Sequence, residues 1–265
     1  MKKRNWYLTF GLSLSAVMLC YMVLGFFWTP YDPGKLSAPD RHSAPSLRHL
    51  FGCDQLGRDV LSRTLDGAGT TLIIALAVVL VGFVLGILIG ALCGYYGGLV
   101  DAVVMRICDA ITAFPSILLA MVVVAVIGPG TYNIIAALGL LFVPSFARLV
   151  RGEFLKYRDR DFVRAARLAG VPAWRIIFVH ILPNTWPVLL SGLTIGFNNA
   201  VLSEASMSYL GIGVGPGDAS LGRMLSEAQG MLFSAPWCTI FPALVVIFII
   251  LGVGMVGEGI RERVE

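Results

Sequence analysis

The chain has 265 residues, of which 57% are hydrophobic and 14% charged, with 30 glycines and a mean hydropathy of +0.82. That composition excludes an ordinary soluble domain and marks an integral membrane protein. The formal charge of +4 reflects how basic residues are distributed around membrane spans, with no case for nucleic-acid binding.

Charge-free runs cover residues 5–31, 67–100, 110–147, 176–203 and 228–257, each long enough for the roughly 20 apolar residues that a bilayer crossing needs. The run 110–147 is too long for one crossing, and Gly128-Pro129-Gly130 followed by Thr131-Tyr132-Asn133 splits it at a turn. Six spans are therefore predicted, over 7–29, 69–95, 102–127, 132–150, 186–211 and 236–257.

The first span follows Lys2, Lys3 and Arg4. Its apolar stretch from Trp6 to Trp28 ends in Phe-Phe-Trp-Thr-Pro without a small-residue cleavage site, which reads as a retained span and not a signal peptide. Residues 30–67 form an external segment rich in Pro, Ser and charge, and Asp59 to Leu65 is expected to start the helix of span two. Within that span Gly82, Gly86, Gly90 and Gly94 recur every four residues, a stripe that predicts a close helical neighbour in this chain or in another. Span three opens with Asp101, Arg106 and Asp109, where Arg106 is placed to pair with Asp109 at i+3 or with Asp101.

Eight basic residues lie between Arg148 and Arg175. Here Arg158 to Leu168 is compatible with a short helix, Gly170 and Pro172 with a bend, and Ala173 to Ile181 with a second helix that Pro183 interrupts. Two short helices at a bend make a knob, with Phe162, Ala166, Leu168 and Ala169 on one side and Arg164, Arg167 and Arg175 on others, suited to a partner's groove. Asn198, Asn199 and Glu204 of span five are costly in lipid and are expected either to line a path or to bond a neighbouring helix. After it, Ser220 to Leu225 reads as a short amphipathic helix at the outer interface. Fourteen of the 20 Lys and Arg fall on the side that holds both termini and the knob, which predicts a cytoplasmic location for all three.

Of the five cysteines, Cys20, Cys93 and Cys108 lie in or beside spans, while Cys53 and Cys238 fall toward the outer face without a disulfide spacing signature. His42, His49 and Cys53 share the outer segment, but H-x₆-H-x₃-C is not a recognised ligand spacing and no metal site is assigned. Tyr31-Asp32 and Gly215-Pro216-Gly217-Asp218 mimic the paired motifs of an intramembrane aspartyl protease, yet both lie in outer loops where water needs no protein to admit it. A stand-alone secondary transporter would show paired broken helices in two matching halves; Pro144 and Pro187 are weak signals for it, and no internal repeat accompanies them. The sole Gly-Lys pair, Gly34-Lys35, is no phosphate-binding loop.

Ala165-Ala166, Gly170 and Leu182-Pro183, in that spacing, resemble the cytoplasmic coupling loop of permease subunits of bacterial ATP-binding cassette importers. HLFGCDQLGRDVLSR (49–63) and EASMSYLGIGV (204–214) are similar to the peptide and nickel branch of that family, specifically its second permease subunit. The resemblance implies an all-α membrane protein with six transmembrane helices in the type I importer permease fold. It would comprise a first helix and extracytoplasmic segment over 1–67, a five-helix core over 68–258 with its coupling loop at about 153–184, and a short tail over 259–265. It further implies that Arg164, Ala165, Ala166, Gly170, Leu182 and Pro183 engage an ATPase subunit and that the chain itself is not an enzyme and needs no cofactor. The implied partners are a second homologous permease, two cytoplasmic ATP-binding subunits and an extracytoplasmic substrate-binding protein, in the bacterial plasma membrane. Di- or oligopeptides are the implied substrate, with nickel or a metal chelate as the alternative. Two positions depart from the pattern: Arg164 stands where the loop usually carries Glu, and Cys53 where Thr is common.

Overall fold

The computed structural model describes residues 6–215 and 217–264; Lys2, Lys3, Arg4 and Pro216 lie outside the described residues. All regular elements among them are helical: α1 (Trp6–Phe27), α2 (Val60–Tyr96), α3 (Gly98–Thr112), α4 (Ser116–Ile127), α5 (Thr131–Tyr157), α6 (Asp161–Leu168), the single turn α7 (Ala173–Arg175), α8 (Leu182–Tyr209), α9 (Leu221–Glu227) and α10 (Trp237–Val264), with short 3₁₀ turns in the loops. Five helices are long and apolar enough to cross a bilayer, and the pair α3 and α4 makes a sixth crossing if counted as one.

Helix α2 is the axis of the molecule. Asp59 caps it as expected, its carboxylate accepting from the Ser62 backbone N–H at 2.8 Å. The helix then runs 37 residues, about 56 Å at 1.5 Å per residue. Leu76, Leu80, Val84, Leu88 and Leu92 form its outward stripe and are exposed, as a lipid-facing surface requires. The glycine stripe faces α5. A Cβ at Gly86 would stand 2.4 Å from the Phe146 Cβ, and one at Gly90 2.4 Å from the Ala147 carbonyl oxygen. The close neighbour is therefore within this chain, and the two backbones approach because only hydrogen separates them. Helices α1 and α10 meet the same way, with Gly11 against Met255 and Gly259 against Leu8.

Three expectations change. Span three is not one straight helix over 102–127: α3 and α4 meet at an 85° bend, because Pro115 has no N–H to continue the helix and forces Phe114 out of helical geometry. The partners of its acids also differ. Asp101 takes a two-pronged ion pair from Arg151 and Asp109 a 3.6 Å contact from Arg148, so α5, and not Arg106, supplies the cations. Pro183 does not interrupt its helix. A π turn over Ile176–Ile181 joins α7 to α8, the extra residue absorbing the register change that the proline ring demands.

Helix α9 forms where expected, capped by Ser220, and one side of it is packed against the spans. Leu221 is fully buried, and a Cβ at Gly222 would stand 2.1 Å from the Ala205 carbonyl oxygen of α8.

Candidate functional site

Between α4, α5 and α8 lies a cavity of about 580 Å³. Its apolar walls include Leu141, Phe142, Phe146, Leu149 and Leu202, and its polar groups are Ser116, Ser145, Asn199, Ser203 and Ser206. No charged side chain lines it among the described residues. The α8 wall is a stripe of small and polar residues, Gly192, Gly196, Asn199, Ser203 and Ser206, recurring every three or four positions and so sharing one helix face. That stripe was readable in the sequence as a helical periodicity of polarity, although only Asn199 was singled out. A second cavity of about 440 Å³ shares Leu149, Gly192 and Ile195 with the first and carries Glu153, Lys156 and Arg261. The two together make a groove that changes from uncharged to charged along its length.

The three polar residues of span five part company. Asn199 faces the cavity. Asn198 points to α10, donating from Nδ2 to the Ile250 carbonyl at 3.1 Å, so it bonds a neighbouring helix. Glu204 is completely buried, accepting from the Thr71 hydroxyl of α2 at 2.9 Å and from Ser208 at 2.7 Å. A carboxylate there ties α2 to α8 with hydroxyls answering its oxygens, which is what a buried acid needs.

The elbow stands at the α2 C-terminal end. Helix α6 ends in a Schellman cap: the Val171 N–H donates to the Ala166 carbonyl and the Gly170 N–H to the Arg167 carbonyl, both at 3.0 Å. Gly170 has φ +72°, the left-handed conformation this cap requires, and a Cβ built there meets nothing within 4 Å. The cap thus sets the bend, and the space around it is open. Val163 and Ala166 turn inward with Ile176, Ile177 and Ile181. The knob's predicted faces are corrected accordingly: Ala166 packs inside, while Arg164, Ala165 and Ala169 are exposed beside Leu168 and Phe162. Leu168 is 91% exposed and Trp174 63%. Arg167 lies over the Tyr95 ring at 4.9 Å, fastening the elbow to the end of α2. At the base, Leu182 is half-buried against the core and Pro183 exposed.

The opposite end of α2 carries a charge network that sequence reading did not assemble. Arg63 donates to Asp54 at 2.8 Å and to Glu227 at 2.9 Å, Arg58 contacts the same two acids, and Arg223 reaches Glu227 at 3.2 Å and the Gly215 carbonyl at 2.6 Å. Burial works against ionisation of Glu227, yet the Arg63 and Arg58 charges hold its carboxyl below the ordinary range. Asp32 and Asp218 are both exposed, Asp32 accepting from the Gly34 N–H of its own turn, and neither lines the cavity.

The family profile of the binding-protein-dependent transport system inner membrane component matches residues 86–265. The chain belongs to that family. It is 34% identical over 263 residues to the dipeptide transport system permease protein DppC of Alkalihalophilus pseudofirmus, covering 99% of this chain and 86% of that one. It is also 38% identical over 244 residues to the glutathione transport system permease protein GsiD of Pectobacterium atrosepticum, covering 90% and 81%. A chain of the methionine ABC transporter MetNI in an inward-facing conformation superposes with a TM-score of 0.64 at 20% identity, covering 77% of this chain and 96% of that one. That likeness establishes the type I importer permease fold, and the relatives are permeases, not enzymes.

Proposed function

We propose that this chain is one permease of an ATP-driven importer and forms half of the translocation path for di- or oligopeptides. The observation that carries the reading is the groove on α8, whose polar groups are hydroxyls and one amide set among apolar walls. Such a lining offers hydrogen bonds to a peptide backbone while tolerating varied side chains, and the larger of the groove's two cavities holds no fixed charge that would trap a zwitterion. A second, homologous permease would supply the facing half. Relatives named for dipeptide and glutathione transport support peptides as the cargo class.

The elbow is the contact for a cytoplasmic ATPase. Exposed Leu168 and Trp174, with Arg164 and Ala165 beside them, offer an apolar face with a basic edge, and the cap at Gly170 makes it rigid enough to transmit a push into α8 through the π turn. Both termini and the elbow then lie in the cytoplasm, in accord with the excess of basic residues there. The loop end faces outward to an extracytoplasmic substrate-binding protein. Transport is alternating access by rocking of whole helical units around the groove.

The test is uptake of a labelled dipeptide by cells lacking the chain, complemented with wild type, Asn199→Leu or Gly170→Trp, together with purification of each complex in mild detergent. Wild type is expected to restore uptake and to bring down Walker-motif ATPases. Asn199→Leu should lose uptake while keeping the ATPases, and Gly170→Trp should lose both. A chain that purifies alone and still supports uptake overturns the reading.

A further inference from the structure

A short hairpin in the outer segment brings together three groups that are far less evidently related in sequence. Cys53 and Asp59 face each other across an antiparallel backbone bridge, so their side chains leave on the same side. His49 folds back over them, its Nδ1 2.9 Å from Asp59 Oδ1. One potential ligand atom from each of His49, Cys53 and Asp59 lies within 4.8 Å of the others, and all three residues are buried.

A second observation is independent of that clustering. The other ring nitrogen of His49, Nε2, is buried and has no hydrogen-bond partner among the described residues, although the residue is only 7% exposed. Buried polar atoms are ordinarily satisfied, and an orphaned ring nitrogen shows that hydrogen bonding within the chain does not by itself complete this cluster. Nδ1 is the ring nitrogen that faces Asp59 Oδ1, so a shared ion would replace the proton between them and leave the ring N–H on Nε2.

We infer that His49, Cys53 and Asp59 form a binding site for a zinc-like divalent cation. Thiolate, imidazole and carboxylate together select a borderline-soft ion over magnesium or calcium. Three protein ligands leave a fourth position to water. On binding, the Cys53 thiol gives up its proton to solvent and its sulfur forms the bond to the ion. The cation is structural: Asp59 caps α2, and the Cys53 carbonyl accepts from Trp237 Nε1 of α10 at 3.1 Å, so one ion clamps the outer segment to two spans. The site stands apart from the translocation groove and does not depend on which solute is carried. The sequence grouped His42 with His49 and Cys53 without a recognised ligand spacing and assigned no metal there; His42 is exposed and is not among the three clustered groups. Asp59 takes its place because the hairpin folds it back.

The test uses the full chain in detergent, incubated with zinc chloride, passed through a desalting column in citrate, and assayed for zinc by plasma mass spectrometry. Wild type is expected to retain about one zinc per chain, and Cys53→Thr and His49→Gln to retain at least about tenfold less. Cys238→Ser should retain zinc as wild type does. In wild type, zinc should also slow alkylation of Cys53 by a maleimide, a readout that survives even if both variants fold poorly. The inference is overturned if wild type and Cys53→Thr retain zinc equally, if wild type retains none, or if non-reducing mass spectrometry finds Cys53 already bonded to Cys238.

Discussion

The two ends of α2 are built on opposite principles. At the N-terminal end, three arginines and two carboxylates are mutually paired and mostly buried, and α9 is pressed into the helices so closely that Gly222 admits no side chain. At the C-terminal end, the elbow keeps Leu168 and Trp174 uncovered, holds its bend by a backbone cap, and leaves the space around Gly170 empty. Charge that locks and charge that docks differ in whether the protein itself supplies the partner. One end is finished within the chain; the other is shaped for something outside it.

That contrast can be broken by substitution. The largest effect is expected at the locked end. Arg63→Ala leaves Asp54 and Glu227 short of their central cation, and removing one partner of a buried network costs about 3–5 kcal/mol, read as a drop in unfolding temperature in detergent. Between the ends, Gly90→Leu forces a branched side chain into the Ala147 carbonyl. Overpacking of this kind costs about 1–3 kcal/mol and should appear as earlier unfolding with the α2–α5 contact loosened, measurable by crosslinking. At the elbow the balance reverses. Gly170→Trp puts an L side chain at φ +72°, a cost of about 1–2 kcal/mol, so unfolding should change little while transport is lost. If its unfolding temperature falls as far as that of Arg63→Ala, the elbow is structural and the comparison fails.

The smallest effect is a pH dependence confined to the locked end. Because the folded state holds the Glu227 carboxyl below its unfolded range, its contribution is complete at neutral pH and is lost as pH falls through the depressed folded value. Protease access to residues 212–235 should therefore rise in acid in the wild type. Glu227→Gln should already show raised access at neutral pH and a smaller further rise in acid.

Much of this was legible from residues alone. The charge-free runs marked five of the six crossings, Asp59 and Ser220 announced the starts of α2 and α9, and Gly170 announced the elbow, because bilayer thickness, capping and left-handed glycine act locally. The groove was half legible, since the small and polar stripe on α8 is a periodicity but gives no hint of which face is empty. The bend at Pro115 was written in the residue type and was passed over because apolar length argued for one straight span.

Other features could only be decided by the assembled structure. Sequence determined that this chain lives in a membrane, where most of its helices fall and that it carries an elbow, since each follows from neighbours a few positions apart. Tertiary structure alone decided that the glycine stripe meets α5, that Arg151 and not Arg106 answers Asp101, that Asn198, Asn199 and Glu204 serve three different faces, and that Arg63 joins Asp54 to Glu227. Apart from Arg63 with Asp54, nine residues apart, those pairings span from 50 to more than 160 residues, and which distant groups meet depends on how whole helices pack, which no local pattern encodes.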